Sequence, residues 1–177
     1  MFASVVPDRR LSSRSSPSRP LWPSRPSPSF GTLYFASGPF FPQPGRHFDI
    51  YSAAPAGEGF APRVVLGAGV NTVPSPSDPS LQAAWDFNPE ISVDGHTLVF
   101  TSLRPGGYGM GDLYVSTRRG GEWTPARNLG PHVNTADDEY HPTLSRNART
   151  LYFVRGNVLQ GRPGDFYHVD THALDLR

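Results

Sequence analysis

The chain has 177 residues, enough for about one ordinary domain, with 37% hydrophobic, 12% aromatic and 18% charged residues. Its 18 Gly and 20 Pro are too many breakers for a helical bundle, and with no Cys there is no disulfide framework, Cys-ligated zinc site or thiol nucleophile. A net charge of +1 makes no global electrostatic case for nucleic acid, and apolar runs as short as Leu98-Val99-Phe100 supply no membrane-spanning helix.

Residues 1–30 contain nine Ser, six Pro and five Arg, with Asp8 as the one acid. No apolar period runs through them, so they are expected to form a disordered tail. The Pro content argues against an amphipathic targeting helix, and Ser4-Val5-Val6-Pro7 is too short for the apolar core of a signal peptide.

The remainder repeats. Thr97-Leu98-Val99-Phe100 returns as Thr150-Leu151-Tyr152-Phe153, and Gly111-Asp112-Leu113-Tyr114 as Gly164-Asp165-Phe166-Tyr167, both at an offset of 53. Asp86 to Ser92 returns at the same offset as Glu139 to Ser145. An upstream copy holds Thr32-Leu33-Tyr34-Phe35 at an offset of 65, then Asp49-Ile50-Tyr51 at 63. In that copy Leu66-Gly67 and Val70-Asn71-Thr72 precede Leu129-Gly130 and Val133-Asn134-Thr135 by 63.

Each unit reads as four short antiparallel strands. In the best-preserved one, Phe87 to Ser92 forms the first, and Asp94-Gly95 makes a tight hairpin because Gly accepts positive φ. His96 to Ser102 is a strand with an apolar centre suited to cover on both faces. A Gly-rich loop, Arg104 to Gly111, leads into a third strand, Asp112 to Arg118. Gly120-Gly121 turns the chain into a fourth strand near Trp123 to Asn128. The expected fold is all-β: a partial β-propeller of about two and a half blades after the 1–30 tail. Blade one spans about 31–70, blade two about 86–131, and an incomplete blade three about 139–177. Blade one is expected to have lost its first strand into the tail. A β-sandwich is the competing fold, but it does not predict unit-by-unit sequence identity. The propeller reading requires Leu33, Leu98 and Leu151 to lie on strands of different sheets.

Ser92-Val93-Asp94-Gly95 followed by Thr97 to Ser102 resembles the hairpin and strand of the TolB-type, WD-like β-propeller repeats. Arg104-Pro105-Gly106-Gly107-Tyr108-Gly109, then Asp112 to Ser116, and Asn128-Leu129-Gly130 through Asp138-Glu139 are similar to the branch found in bacterial cell-envelope proteins. Blade three departs from the pattern with Asn147-Ala148 where Asp94-Gly95 stands. The resemblance implies a periplasmic or extracellular propeller that binds a protein or glycan partner of the cell envelope, although no signal peptide is visible here. No cofactor, metal, nucleic acid or membrane insertion is expected. Such a short array leaves blade faces open to self-association. A gene fragment, a ring completed by oligomerisation and an open stack all fit it.

The candidate site residues are few. Asp49, Asp112 and Asp165 recur at one blade position, and recurrence favours a structural role capping the Gly-rich loop. Asp138, Glu139 and His141 form the densest polar cluster; Glu139 and His141 would share one strand face and could bind a cation or act as an acid–base pair. Trp85, in a ten-residue insertion, is expected to be an exposed contact residue, joined by Arg104 and Tyr108 of the Gly-rich loop. The Gly-rich loop lacks a Gly-Lys-Ser/Thr ending and leads into a strand, so it is not a phosphate cradle. The leading functional reading is a non-catalytic binding scaffold, for which Glu139 and His141 are dispensable to the fold. Its rivals are a glycan hydrolase or lyase using those two residues, and a truncated fragment without independent activity.

Overall fold

The computed structural model describes residues 3–5, 31–38, 48–73, 77, 85–157 and 160–176. They form three larger antiparallel sheets in chain order and a separate two-stranded one. Sheet I has the order β1 (Ala3–Val5), β2 (Leu33–Ser37), β3 (Asp49–Ala53), β6 (Val64–Val65), with a small hairpin, β4 (Pro55–Ala56) and β5 (Gly59–Phe60), between β3 and β6. Sheet II contains β7 (Asp86–Ile91), β8 (Thr97–Ser102) and β9 (Asp112–Arg119), with β10 (Glu122–Trp123) and β11 (Arg127–Asn128) both paired along β9. Sheet III contains β12 (Asp138–Leu144), β13 (Thr150–Asn157) and β14 (Arg162–Asp170), followed by a 3-10 turn at Thr171–Leu174. Leu33, Leu98 and Leu151 lie on the second strands of three separate sheets.

The expectation that nothing before Phe30 is ordered fails at Ala3–Val5. This segment pairs antiparallel with Leu33–Phe35 and supplies the first strand that sheet I was expected to lack. Its three residues carry no readable period of their own. The free edge of β2 and the neighbouring β7 fix it, with the Ile91 N–H donating to Ser4 Oγ at 3.2 Å. The rest of the 1–30 tail lies outside the described residues. The fourth strand of sheet II is split because Pro125, which cannot donate, sits between β10 and β11.

The apolar alternation of β8 explains the stacking. Leu98 and Phe100 point to one side and pack with Tyr34, Ile50, Leu66 and Val70 of sheet I. Val99 points the other way and joins Leu113 and Val115 against Leu151 and Phe153 of sheet III. Each such side chain contributes about 1.5–3 kcal/mol on burial, so stacking of sheets is the main cohesive force.

The hairpins between first and second strands reuse one circuit. Ser92 Oγ donates to Asp94 Oδ1 and accepts from the Thr97 N–H, while Asp94 also accepts from the His96 N–H. Ser145 and Asn147 repeat this with Thr150 and Arg149. Gly95 takes φ 76°, but the equivalent Ala148 is forced to φ 53°. Ala148→Gly should therefore raise the unfolding free energy by about 1 kcal/mol, read as a higher urea midpoint.

Candidate functional site

The candidate cluster lies where β12 enters sheet III. Glu139 is fully buried. Its carboxylate accepts from the Thr135 N–H at 2.9 Å, the Thr135 hydroxyl at 2.7 Å and Arg155 Nε at 2.7 Å. Arg155 also donates to the Val133 carbonyl at 2.7 Å, and its guanidinium lies 4.4 Å from the Tyr167 ring centroid and 5.6 Å from that of Phe153. Burial pushes the Glu139 carboxyl above its ordinary range, and the Thr135 donors and Arg155 pull against it.

The same node occurs one sheet earlier. Asp86, 53 residues before Glu139, accepts from the Thr72 N–H and from Arg104 at 2.6 Å each. Arg104 donates to the Val70 carbonyl and sits 4.6 Å above Tyr114 and 5.4 Å above Phe100. In sheet I, Arg63 lies over Tyr51 at 4.7 Å and donates to Ser37 Oγ, as Arg104 does to Ser102 Oγ. The carboxylate belongs to the first strand of one sheet, while the Val-Asn-Thr loop leaves the sheet before it. The node is thus a latch between successive sheets. Two more links repeat beside it. The N–H groups of Asp86 and Glu139 donate to the carbonyls of Phe48 and Gly111. Those of Ile91 and Leu144 donate to the side chains of Ser4 and Glu90.

This placement corrects two expectations. Glu139 and His141 do not form a pair on an open strand face. Glu139 is buried, and its carboxylate is engaged by three donors of the latch instead of lying on an open strand face. Arg104 is likewise held in the latch between sheets I and II.

His141 sits in a bulge where the β12–β13 register shifts between Tyr140 and Thr143, with φ 51°. The equivalent Asn88 occupies the matching bulge of β7 at φ 50°. Asn and His are among the few side chains enriched in left-handed backbone, so this position selects for conformation. Burial lowers the His141 pKa below its ordinary 6.5. The unfolded chain then takes up the proton first, so the group's stabilising contribution is complete above about pH 6.5 and shrinks as the pH falls below it. His141→Asn should keep the bulge and remove that acid-side loss. Urea midpoints at about pH 5 and pH 8 should differ less for the variant than for the parent.

The other candidates part company. Asp138 Oδ1 accepts from the Gly111 N–H at 2.9 Å, another tie between sheets II and III, and burial raises its pKa. Asp112 is buried and accepts from the N–H groups of Tyr108 and Gly109, the expected loop cap, and from Asn128 Nδ2 at 2.8 Å. Asp165 is exposed on β14 and Asp49 half-buried at the start of β3, so the recurrent Asp does not keep one environment. Trp85 is half-buried, its ring 5.1 Å from that of Phe48, which corrects its reading as an exposed contact. Tyr108 of the Gly-rich loop faces solvent, 50% exposed beside the 46% exposed Met110. The loop carrying them lies close against the next sheet's entry segment: a Cβ on Gly109 would meet the Thr135 carbonyl oxygen at 2.3 Å. Among the described residues no group of His, Asp and Glu is arranged to hold a metal ion, and no helix is long and apolar enough to cross a membrane.

Arg155, Thr135, Asn71 and Asn134 were missed as site residues. The two Asn side chains bridge the N–H and C=O of Ile50 and Leu113, respectively, each buried. Their signal was present in the repeated Val-Asn-Thr. The arginines gave none at the repeat offset, because Arg104 and Arg155 are 51 residues apart.

No family model matches the chain, and no curated protein matches it. Among solved structures it is similar to TolB from Acinetobacter baumannii, with 14% identity and a TM-score of 0.45. The match covers 78% of this chain and 27% of TolB, so the chain spans about a quarter of that protein's length.

Proposed function

We propose that the three sheets are blades of a β-propeller of the TolB-like type and that the chain is a non-catalytic scaffold binding a protein or glycan partner at the bacterial cell envelope. One observation carries this reading: the carboxylates best placed for acid–base work, Asp86 and Glu139, are engaged by arginines in the repeated latch between sheets. What faces solvent instead is a loop bearing Tyr108 and Met110, an aromatic and a thioether suited to contact. The repeat resemblance at residues 86–155 supports the envelope setting.

Two measurements test it. Tyr108→Ala should leave the thermal transition unchanged and weaken retention on immobilised envelope fractions severalfold, by about 1–2 kcal/mol of lost aromatic contact. Incubation of the chain with peptidoglycan oligosaccharides should release no new reducing ends, with or without added divalent cations. Turnover that disappears in a folded Glu139→Gln variant would overturn the scaffold reading.

A further inference from the structure

A groove of about 940 Å³ opens between sheets II and III, at the end opposite the Tyr108 loop. The hairpin 92–96 and the end of β9 wall it on one side, and the hairpin 147–149 on the other. Buried Val115 and Leu176 supply its apolar part. Four arginines line it, Arg118, Arg119, Arg127 and Arg149, and all four are exposed. Arg118 Nε donates to the Gly121 carbonyl at 3.0 Å, and Arg127 Nη2 to the carbonyls of Leu174 at 3.0 Å and Asp175 at 3.3 Å. These anchors are neutral.

Among the described residues the ion pairs belong to Arg104, Arg155 and Arg162, and no carboxylate lies within 4.0 Å of the four guanidinium groups of the groove. Asp94 and Asp175 share the lining, but Asp94 is engaged by Ser92 Oγ and the His96 N–H. Like charges gathered round one concave surface repel each other and raise the local potential, and a bound anion relieves that cost. The set is also peculiar to this gap. Arg118 and Arg119 pair with Trp123 and Glu122 as Pro55 and Ala56 pair with Phe60 and Gly59, and Arg127 pairs with Val115 as Val64 pairs with Ser52. Arg149 takes the place of His96 in the hairpin circuit. The gap between sheets I and II thus carries Pro55, Ala56, Val64 and His96 at these positions.

The Arg104 and Arg155 nodes recur because stacking needs them. An arginine set that stacking does without one gap earlier is free to serve a ligand. We infer that this groove binds a small organic ligand carrying more than one oxyanion group, phosphate or carboxylate, gripped by guanidinium forks from both sheets. A groove of this size takes such a molecule. The inference does not depend on what the Tyr108 loop contacts.

Calorimetric titration of the full chain with inorganic pyrophosphate and with citrate, at low ionic strength, tests this. Saturable binding of at least one is expected, and the tighter of the two identifies phosphate or carboxylate as the recognised group. Arg119→Gln and Arg149→Gln should each weaken binding about tenfold with the thermal transition unchanged, because both side chains are exposed. Arg146→Gln, exposed in the adjoining turn but outside the groove, should change nothing. Failure of both anions to bind would overturn the inference. So would binding that survives in the double variant Arg119→Gln with Arg149→Gln, or an equal loss in Arg146→Gln, which would report diffuse surface charge.

Discussion

Arg155→Ala is expected to lower the unfolding free energy by about 3–5 kcal/mol, a large part of the roughly 5–15 kcal/mol that holds a domain of this size. The effect is large because of what stays behind. Glu139 is fully buried, and two of its three donors, the N–H and O–H of Thr135, are neutral. Removing the guanidinium leaves a carboxylate with no counter-charge in a site that water does not reach. It also removes the donor to the Val133 carbonyl and the cation above Tyr167 and Phe153. The double variant Arg155→Met with Glu139→Leu should be less destabilised than Arg155→Ala, since it leaves no unpaired charge behind. Urea midpoints of the parent, the single variant and the double variant measure this. A single variant that loses less than the double would mean the carboxylate is solvated and the latch is only a surface pair.

The same latch explains how much could be read from sequence. The strands, their order and the division into three sheets were legible. They follow from short-range signals: alternating apolar residues in Thr97 to Ser102, tight turns at Asp94-Gly95 and Gly120-Gly121, and unit-to-unit identity. The Ala3–Val5 strand was not legible, because three residues cannot show a period and their pairing partner lies 30 residues on. The role of Glu139 was also hidden. An Asp-Glu-x-His cluster on one strand invites an acid–base reading, and the bulge at His141 that breaks the alternation is visible only when Asn88 is seen at the same φ. The arginines were least legible of all. Arg63, Arg104 and Arg155 lie over the equivalent tyrosines of their respective sheets from three non-equivalent chain positions, since a long flexible side chain can satisfy one geometry from several anchor points. An alignment by repeat offset matches backbone positions, so it cannot see a guanidinium held constant in space.

Asn134→Ala should lower the unfolding free energy by about 2–4 kcal/mol although it removes a side chain of modest size. Asn134 Oδ1 accepts from the Leu113 N–H at 2.8 Å, and its Nδ2 donates to the Leu113 carbonyl at 2.9 Å and to Asn128 Oδ1 at 2.8 Å. Leu113 is fully buried between sheets II and III, so truncation orphans its backbone N–H where no water can replace the amide, while its carbonyl keeps the Leu129 N–H. Asn134→Asp separates the two halves of the bridge. The acceptor for the Leu113 N–H survives, but a carboxylate faces the Leu113 carbonyl and Asn128 Oδ1 with nothing to donate. The Asp variant should therefore be at least as unstable as the Ala variant at neutral pH and should recover part of the loss in acid, where the protonated carboxyl can donate to one of those oxygens. Urea unfolding at about pH 4 and pH 7 distinguishes the cases. Equal loss in Asp and Ala at both values would mean that only shape matters at this position. A loss below about 0.5 kcal/mol in Ala would mean that the strand edge of β9 is solvated.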